Sequence, residues 1–436
     1  MLKGFILGLL VSAAAWGQQG DPLRDVLDRL AKLEEQNRAL TKEVEELKAR
    51  LGTVDAVPLA ERVEVAEQRV AELDQTRVTS DNKLPISVTG MLLFNAYLNG
   101  QASAGQQYPV VLPPSGGAAG AGATFRQTVL GLRLDGPTVL HGGNVNGSVF
   151  MDFFSGGTGL NQTMRLRVAT LDVAWKRTTV GFAFDKPVMA PREPDSLAQV
   201  GVSALTGAGN LWLWQPQVRV EHRLDWKNRI GLRAQGGVYQ TAETGTGLAA
   251  DYGDSLAASR PGYEGRFEVW AQRGTKRVEV APGFHVSSSR VLGQSVPSRI
   301  FTLDWLLRPV SRVEFTGQYF GGQNTGVVGG LRQGSTVRRV ADVNAAAAVH
   351  SQGGWAQLKL KATARTSFNL FAGQQDDRNR DLGQGGVTKN QSYGANVMYR
   401  WGSNLMTGFE ASQVRTSYFA NTRINPHYDL AIAYLF

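Results

Sequence analysis

The chain has 436 residues, of which 51 are glycine, 19% are charged and none is cysteine, and its formal net charge is +9. The absence of cysteine excludes disulfides and thiolate metal sites and fits export to an oxidising compartment. The basic residues are scattered at a period of two without an aromatic-basic RNA-binding motif, so we expect no nucleic-acid partner. No long apolar segment follows the N-terminal residues, which excludes a helical membrane protein and leaves a closed barrel as the membrane-embedded fold.

The first residues have the pattern of a secretory signal peptide. Lys3 precedes an apolar run over 5–11, and small residues follow over 13–15. This run is too short to span a membrane. We therefore expect residues 1–17 to be a signal peptide and exclude them from the fold.

Residues 21–77 have the heptad pattern of a periplasmic α-helical coiled coil with a break near 52–58. Leucine and valine fill the a and d positions except at Asn37, where a buried amide would lower stability but fix the register. Leucine at both positions does not choose between a dimer and a trimer. A solitary amphipathic helix lying on the barrel is the alternative. The predicted oligomerisation residues are Leu30, Leu33, Asn37, Leu40, Val44 and Leu47.

From residue 84 to Phe436, the chain consists of segments in which apolar and polar residues alternate. The connections between these segments are alternately short turns and longer polar loops. This asymmetry is typical of outer-membrane barrels rather than of soluble sandwiches. We predict an all-β transmembrane barrel of about sixteen antiparallel strands over 84–436. The Gly- and Ala-rich segments 112–123 and 321–335 are predicted to be mobile outer loops. The predicted short turns lie near Gly136-Pro137, Lys176-Arg177, Asp225-Trp226-Lys227-Asn228, Gly274-Thr275, Pro309-Val310, Ala364-Arg365 and Gly402-Ser403.

Charged side chains that alternate with apolar ones must face an aqueous lumen. An arginine or lysine facing lipid at mid-bilayer would cost about 2–4 kcal/mol. The predicted pore-lining, anion-contacting residues are Arg133, Arg165, Arg167, Arg219, Arg223 and Arg233. The same parity places further charges inside, where we expect ion pairs, among them Lys359, Lys361, Arg400, Asp152, Glu264, Glu268, Glu279 and Asp304.

The segment 186–210 differs from the other connections because it is long and carries several prolines and charges of both signs. We predict that it folds into the pore as a constriction loop and sets up a transverse field against the inward arginines. An ordinary solvated outer loop is the alternative. Its charged residues are Lys186, Arg192, Glu193 and Asp195.

Six tryptophans lie near predicted strand ends and indicate aromatic girdles at the membrane interfaces. A stacking path for solutes along the lumen is the alternative. These residues are Trp175, Trp212, Trp214, Trp226, Trp305 and Trp401.

The five histidines argue against an enzyme, since they fall in separate segments without an accompanying serine or aspartate motif or metal-ligand spacing. We therefore predict no catalytic activity, no metal and no cofactor. They are His141, His222, His285, His350 and His427. A structural role remains open, in which the barrel is an anchor and the coil tethers it to peptidoglycan.

The signal peptide, coiled coil, sixteen strands and terminal Phe436 together resemble trimeric porins, particularly the DcaP-like porin family. A local similarity runs from Arg165-Leu166-Arg167-Val168-Ala169 through Trp175 to Val180-Gly181-Phe182. The chain departs from the family in its long small-residue first loop and in lacking a Gly-Gln pair after this strand. The resemblance implies a homotrimer in the lipid of the bacterial outer membrane, inserted by the barrel-assembly machinery through Phe436. It also implies passive diffusion of small hydrophilic, often anionic solutes through a water-filled channel.

Overall fold

The structure is a computed structural model. It describes residues 85–155, 162–226, 229–241, 260–291, 293–331, 333–340 and 343–436. The predicted signal peptide and coiled coil lie outside the described residues.

Strands make up most of the described chain, with three short 3-10 helices in the connections. The helices are Gln101–Ser103, Thr325–Val328 and Asn379–Asp381. The strands are β1 (Ile86–Asn99), β2 (Gly120–Thr124), β3 (Val129–Val139), β4 (Gly143–Ser155), β5 (Thr163–Ala174), β6 (Thr178–Asp185), β7 (Gln215–Trp226), β8 (Ile230–Gln240), β9 (Pro261–Arg273), β10 (Lys276–Val291), β11 (Gln294–Val310), β12 (Val313–Gln323), β13 (Ser335–Val340), β14 (Val343–Ala348), β15 (His350–Lys361), β16 (Thr366–Asp377), β17 (Val387–Arg400), β18 (Leu405–Tyr418) and β19 (Thr422–Leu435).

The sheet closes on itself, because neighbouring strands pair antiparallel around the ring and β19 pairs with β1. β2 and β3 both pair with β1 and together form one strand of the wall. β13 and β14 form a separate hairpin. The wall described here therefore has sixteen strands, and the predicted closed antiparallel barrel is confirmed.

The two faces of the wall differ in chemistry. In β10, Val278, Val280 and Phe284 point outward and are exposed, whereas the alternate residues Glu279 and His285 point inward and are buried. Successive side chains of a strand point to opposite faces, so the period-two pattern of the sequence becomes an apolar outside and a polar inside. None of the described helices is long and apolar enough to cross a membrane.

The short and the long connections lie at opposite ends of the barrel. All seven connections at one end, called the turn end, are short; they join β3 to β4, β5 to β6, β7 to β8, β9 to β10, β11 to β12, β15 to β16 and β17 to β18. The opposite end, called the loop end, carries the long connections. Two predicted long connections are nevertheless short: 292–293 joins β10 to β11, and 419–421 joins β18 to β19. In the β10–β11 hairpin, the outward residues Ser288, Arg290 and Ser295 are polar, so the apolar alternation used for prediction ended before the pairing did. In the β18–β19 hairpin, the polar residues Arg415, Thr416 and Ser417 likewise continue the pairing.

Two of the predicted turns lie inside strands. Gly136-Pro137 belongs to β3, at a register irregularity between Asp135 and Thr138, and the chain reverses at 140–142 instead. Pro309-Val310 belongs to β11, again beside an irregularity, and the turn follows at 311–312. Proline is tolerated at such irregularities because no ladder hydrogen bond is required of its nitrogen there.

Candidate functional site

The connection between β6 and β7, residues 186–214, lies inside the barrel and is called the inward loop. At its start, the Val188 N–H donates to the hydroxyl of Tyr239 in β8 (2.8 Å). The hydroxyl of Thr302 in β11 donates to the Met189 carbonyl (3.1 Å). The first residues of the loop are thus fixed to the wall on the β8–β11 side.

The middle of the inward loop is bonded to strands elsewhere in the ring. The Ser196 hydroxyl donates to Glu410 Oε2 of β18 (2.6 Å). Asn95 Nδ2 of β1 donates to the Leu197 carbonyl (2.9 Å). Because one segment is bonded to β8 and β11 and then to β18 and β1, it crosses the lumen rather than standing above the barrel.

Gln127, between β2 and β3, holds the next stretch of the inward loop. Its Oε1 accepts hydrogen bonds from the N–H groups of Val200 (2.8 Å) and Gly201 (2.6 Å). Its Nε2 donates to Asn95 Oδ1 (2.9 Å) and to the Ala198 carbonyl (2.7 Å). A fully buried amide that uses both its donor and acceptor atoms orders the loop backbone.

Arg192 joins the inward loop to an acidic patch on β9, β10 and β11. Its Nε donates to Asp304 Oδ1 (2.6 Å), and its Nη2 donates to Glu279 and lies 3.9 Å from Glu268 Oε2. Beneath it, Arg266 has a fully buried side chain that also bonds Asp304 and Glu268.

Arg165 and Arg167 of β5 share one carboxylate, that of Asp152. Arg165 Nε lies 2.8 Å from Asp152 Oδ1, Arg167 Nη1 lies 2.6 Å from Oδ2, and Asp152 itself is fully buried. Both guanidinium groups stack on Trp214, 5.1 and 4.9 Å from its ring centroid. Arg167 also donates to the Val200 carbonyl (2.8 Å). Two cations and one anion leave an excess positive charge beside the inward loop.

Two further segments place residues in the interior at the loop end. Residues over 324–331 are largely buried, so the prediction of a mobile outer loop at 321–335 is wrong, whereas within 112–123 only Leu112 is buried. Leu112 is buried and its N–H bonds the hydroxyl of Thr416 (3.0 Å). Part of each segment is strand, and Val327 is buried among residues of the inward loop and the wall. Small side chains suggested exposure, but here they permit close packing. The apolar cluster formed is Met189, Ala190, Leu211, Ile300, Phe320, Val327 and Val328.

A cavity of about 540 Å³ lies between the inward loop and the turn end. It is lined by inward-loop residues over 193–203 and by residues over 363–367, which belong to the β15–β16 turn and the start of β16. We call it the basic chamber, because five cationic side chains line it against the carboxylates of Glu193 and Asp195. The cationic residues are Arg167, Lys359, Lys361, Arg365 and Arg400.

Comparisons with known proteins were made on sequence and on structure. No family model and no curated relative matches the sequence. The structure is similar to the outer membrane channel DcaP of Acinetobacter baumannii, with a TM-score of 0.65 and 14% identity over 80% of this chain and 97% of that one. It is also similar to OmpF of Salmonella typhi (TM-score 0.54, 8% identity, 80% and 97% covered) and to the anion-selective porin from Comamonas acidovorans (TM-score 0.53, 10% identity, 80% and 99% covered).

The chain has the porin fold. The resemblance predicted from the sequence is therefore confirmed at the level of the fold. Because these identities are low, the solutes and assembly of the matched porins are not carried over by the comparison.

Within this porin fold, the predicted lumen arginines face inward and most are paired. Arg133 stands apart, with its guanidinium 6.0 Å from the ring centroid of Phe150. The pairs of the other three wall arginines are Arg219 with Asp185, Arg223 with Glu221 and Arg233 with Glu268. On the inward loop, the pairs are Lys186 with Glu193 (3.0 Å) and Asp195 with Lys359 (3.2 Å).

Sequence reasoning missed Arg266 and Gln127 as anchors of the porin lumen. Arg266 has the same parity as Glu264 and Glu268, so strand alternation alone could have placed it inside. Gln127 gave no such signal, because it lies in the break between β2 and β3.

Two of the predicted girdle tryptophans lie elsewhere in the porin fold. β7 begins at Gln215, so Trp212 and Trp214 belong to the inward loop rather than to a strand end. Their rings form an edge-on pair with centroids 4.5 Å apart, and Trp214 contacts the Arg165–Arg167 pair. These two residues therefore pack the lumen rather than forming an interfacial belt.

One histidine does have serine and carboxylate neighbours, which sequence reasoning did not find. His285 Nδ1 lies 2.9 Å from Glu264 Oε1, and its Nε2 lies 2.8 Å from Ser287 Oγ. This is the order of contacts in a hydrolytic triad. However, Ser287 is only 8% exposed, and Glu264 Oε2 accepts a hydrogen bond from the Met189 N–H of the inward loop (3.4 Å). His285 and Glu264 are buried as well, and the arrangement anchors the start of the inward loop. The described residues also contain no cluster of ligands able to hold a metal.

Proposed function

We propose that this protein is an outer-membrane porin that forms a water-filled channel for passive diffusion of small hydrophilic, anionic solutes. The observation that carries the proposal is the closed sixteen-stranded wall with an apolar outer face, a charged inner face and a loop folded across the lumen. Barrels of this width enclose an aqueous channel unless side chains and loops fill it. The inward loop narrows this one.

The chemistry of the outer face supports a place in the membrane. Apolar side chains point outward along the wall, as Leu430 and Ile432 do in β19, and Trp226 and Trp401 are exposed near the turn end. Porins have short turns at the periplasmic end and long loops outside the cell. We therefore assign the turn end to the periplasm, where the coil over 21–77 would also lie.

Selectivity for anions would come from fixed positive charge along a wet path. The two positive charges of Arg165 and Arg167 outnumber the one negative charge of Asp152, and the basic chamber has more cationic than anionic side chains. Cationic walls raise the local concentration of anions and lower their electrostatic barrier. Several weak contacts, rather than one tight site, allow the solute to leave again.

We also propose that the protein assembles as a homotrimer through the coil and is inserted through Phe436. A main-chain carboxylate oxygen of Phe436 accepts hydrogen bonds from the Gly90 N–H (2.8 Å) and the Thr89 hydroxyl (3.1 Å), so Phe436 takes part in closing the barrel. Deleting residues 21–77 should loosen the oligomer and leave a heat-modifiable barrel in cross-linking and gel assays. A deletion variant that stays fully trimeric would remove the coil from this role.

Diffusion is tested by swelling of liposomes that contain the full-length protein. Isotonic small sugars and small organic anions should enter and cause swelling, and rates should fall as solute size rises. Liposomes with heat-denatured protein are the control. Equal rates in the two preparations would contradict the proposal.

A further inference from the structure

Along β15, buried side chains and the inward loop border the basic chamber on the side of the loop end. Lys359 and Lys361 line it from the inner face of β15, and the next inward residue of that strand, Gln357, bonds Asp195 of the inward loop. One step further along the same face, Trp355 belongs to a buried apolar cluster. The cluster consists of Ala204, Leu205, Trp355 and Phe371. Along these strands, the interior is therefore filled above the chamber.

The chamber adjoins the turn end. Thr363, Ala364 and Arg365 of the β15–β16 turn contribute to its lining, and the inward loop forms its opposite wall. A solute that enters the barrel from the turn end would reach the chamber without crossing the inward loop. A solute from the loop end would have to pass the loop first.

The charges of the chamber are unequal. Glu193 is paired with Lys186, which is not itself a lining residue, and Asp195 is paired with Lys359. Among the residues that the structure describes, the Lys361 ammonium has no ion-pair or hydrogen-bond partner. The chamber volume of about 540 Å³ falls in the range of small-molecule sites. The lining cations lie within one pocket, so they act together at physiological salt, where screening extends over about 8 Å.

We infer that the basic chamber binds compact multivalent oxyanions that arrive from the turn end, and that such anions block the channel from one side only. The inference rests on the proposed channel function and adds a site and a direction to it. An anion with several charged oxygens can contact more than one of these cations at once, whereas chloride cannot. Inorganic pyrophosphate is a suitable probe.

Single channels of the full-length protein in planar bilayers test the direction of block. Pyrophosphate is added first to the solution on one side of the bilayer and then, in a separate experiment, to the solution on the other side. We expect block from one side at concentrations at least tenfold lower than from the other. Equal block from the two sides would overturn the inference.

A cysteine variant tests whether Lys361 contributes to binding of pyrophosphate. The chain has no cysteine, so Lys361→Cys carries a single thiol. This variant should need at least fivefold more pyrophosphate for block. A positively charged, membrane-impermeant methanethiosulfonate reagent should restore the affinity, and a negatively charged one should not. Lys276→Cys is the matched control, because Lys276 lies at the turn end, at the start of β10, outside the chamber lining.

Titration calorimetry of the detergent-purified protein with pyrophosphate gives an answer that does not depend on conduction. Binding that weakens at least fivefold in Lys361→Cys and is unchanged in Lys276→Cys supports the site. Absence of binding, or equal loss in the two variants, overturns it. A chain that binds pyrophosphate but never conducts would contradict the porin function and leave the site standing.

Discussion

Arg192 Nε of the inward loop lies 2.6 Å from Asp304 Oδ1 of β11, so an ion pair joins the segment inside the lumen to the barrel wall. Asp304 is fully buried and is also bonded by Arg266, whose side chain is fully buried too. The loop and the wall thus share one carboxylate. The position of the loop depends on charges that the closed barrel brings together from β9, β10 and β11.

The two sides of this contact should respond differently to substitution. In Arg192→Ala, Asp304 keeps Arg266 and Glu279 keeps Arg277, so the barrel should remain stable while the loop loosens and single-channel conductance rises. In Asp304→Ala, Arg266 loses its main partner in a buried site, which should lower the free energy of unfolding by about 3–5 kcal/mol. Denaturant unfolding in lipid vesicles measures the second effect. Equal destabilisation by the two variants would contradict the assignment.

The Arg165–Arg167 pair should control selectivity in both directions. Replacing both arginines by alanine removes two positive charges and should reduce the preference for anions. Asp152→Asn keeps the shape of the side chain, removes the shared negative charge and should increase that preference. Reversal potentials of the two variants measure the effects. Shifts of the same sign, or no shift in the double variant, would remove the pair from the selectivity site.

The Glu264–His285–Ser287 contacts should be structural. Ser287 is covered by the fold, so a fluorophosphonate probe should not label the native protein. His285→Ala should loosen the loop start at Met189 and raise current noise, because Glu264 loses its partner. Labelling of the wild type that disappears in Ser287→Ala would instead reveal a hydrolytic site.

Acid should open the loop-end connection 378–386. Burial tends to raise the pKa of the Asp381 carboxyl, but hydrogen bonds from the side chain and backbone of His350 hold it below its usual value. A lowered pKa in the folded state gives stability that is present above the unfolded value of about 3.9 and is lost as the pH falls through the folded value. Hydrogen exchange of 378–386 should therefore be steady at pH 5–6 and rise severalfold near pH 3. Asp381→Asn should lack this dependence, and a similar acid response in that variant would contradict the assignment.

The wall of the barrel could be predicted from the sequence, because lipid outside and water inside impose a period of two on every strand. The pattern located the β7 pair Arg219 and Arg223 on the inner face and Val218 on the outer one. It failed where that constraint ends. Beyond the apolar belt, Ser288 pairs with Pro297 in a hairpin that needs no lipid-facing residues, so the strands run further than the pattern.

The interior was harder to predict, since it depends on which strands the closed ring places together. Arg192 and Asp304 are 112 residues apart in the chain, and no local pattern links them. The prediction for 186–210 named the charged residues of the inward loop but not their partners. The packing of 324–331 against Met189 likewise depends on small residues that resemble those of an exposed loop.

The reversal potential of the full-length protein in a planar bilayer under a KCl gradient tests the central claim most directly. The account predicts stepwise conductance with a potential displaced toward the chloride equilibrium potential, because the inward loop and chamber carry excess positive charge. Absence of conductance would contradict the channel. Conductance with a potential displaced toward the potassium equilibrium potential would contradict the electrostatic role assigned to Arg165, Arg167 and the basic chamber.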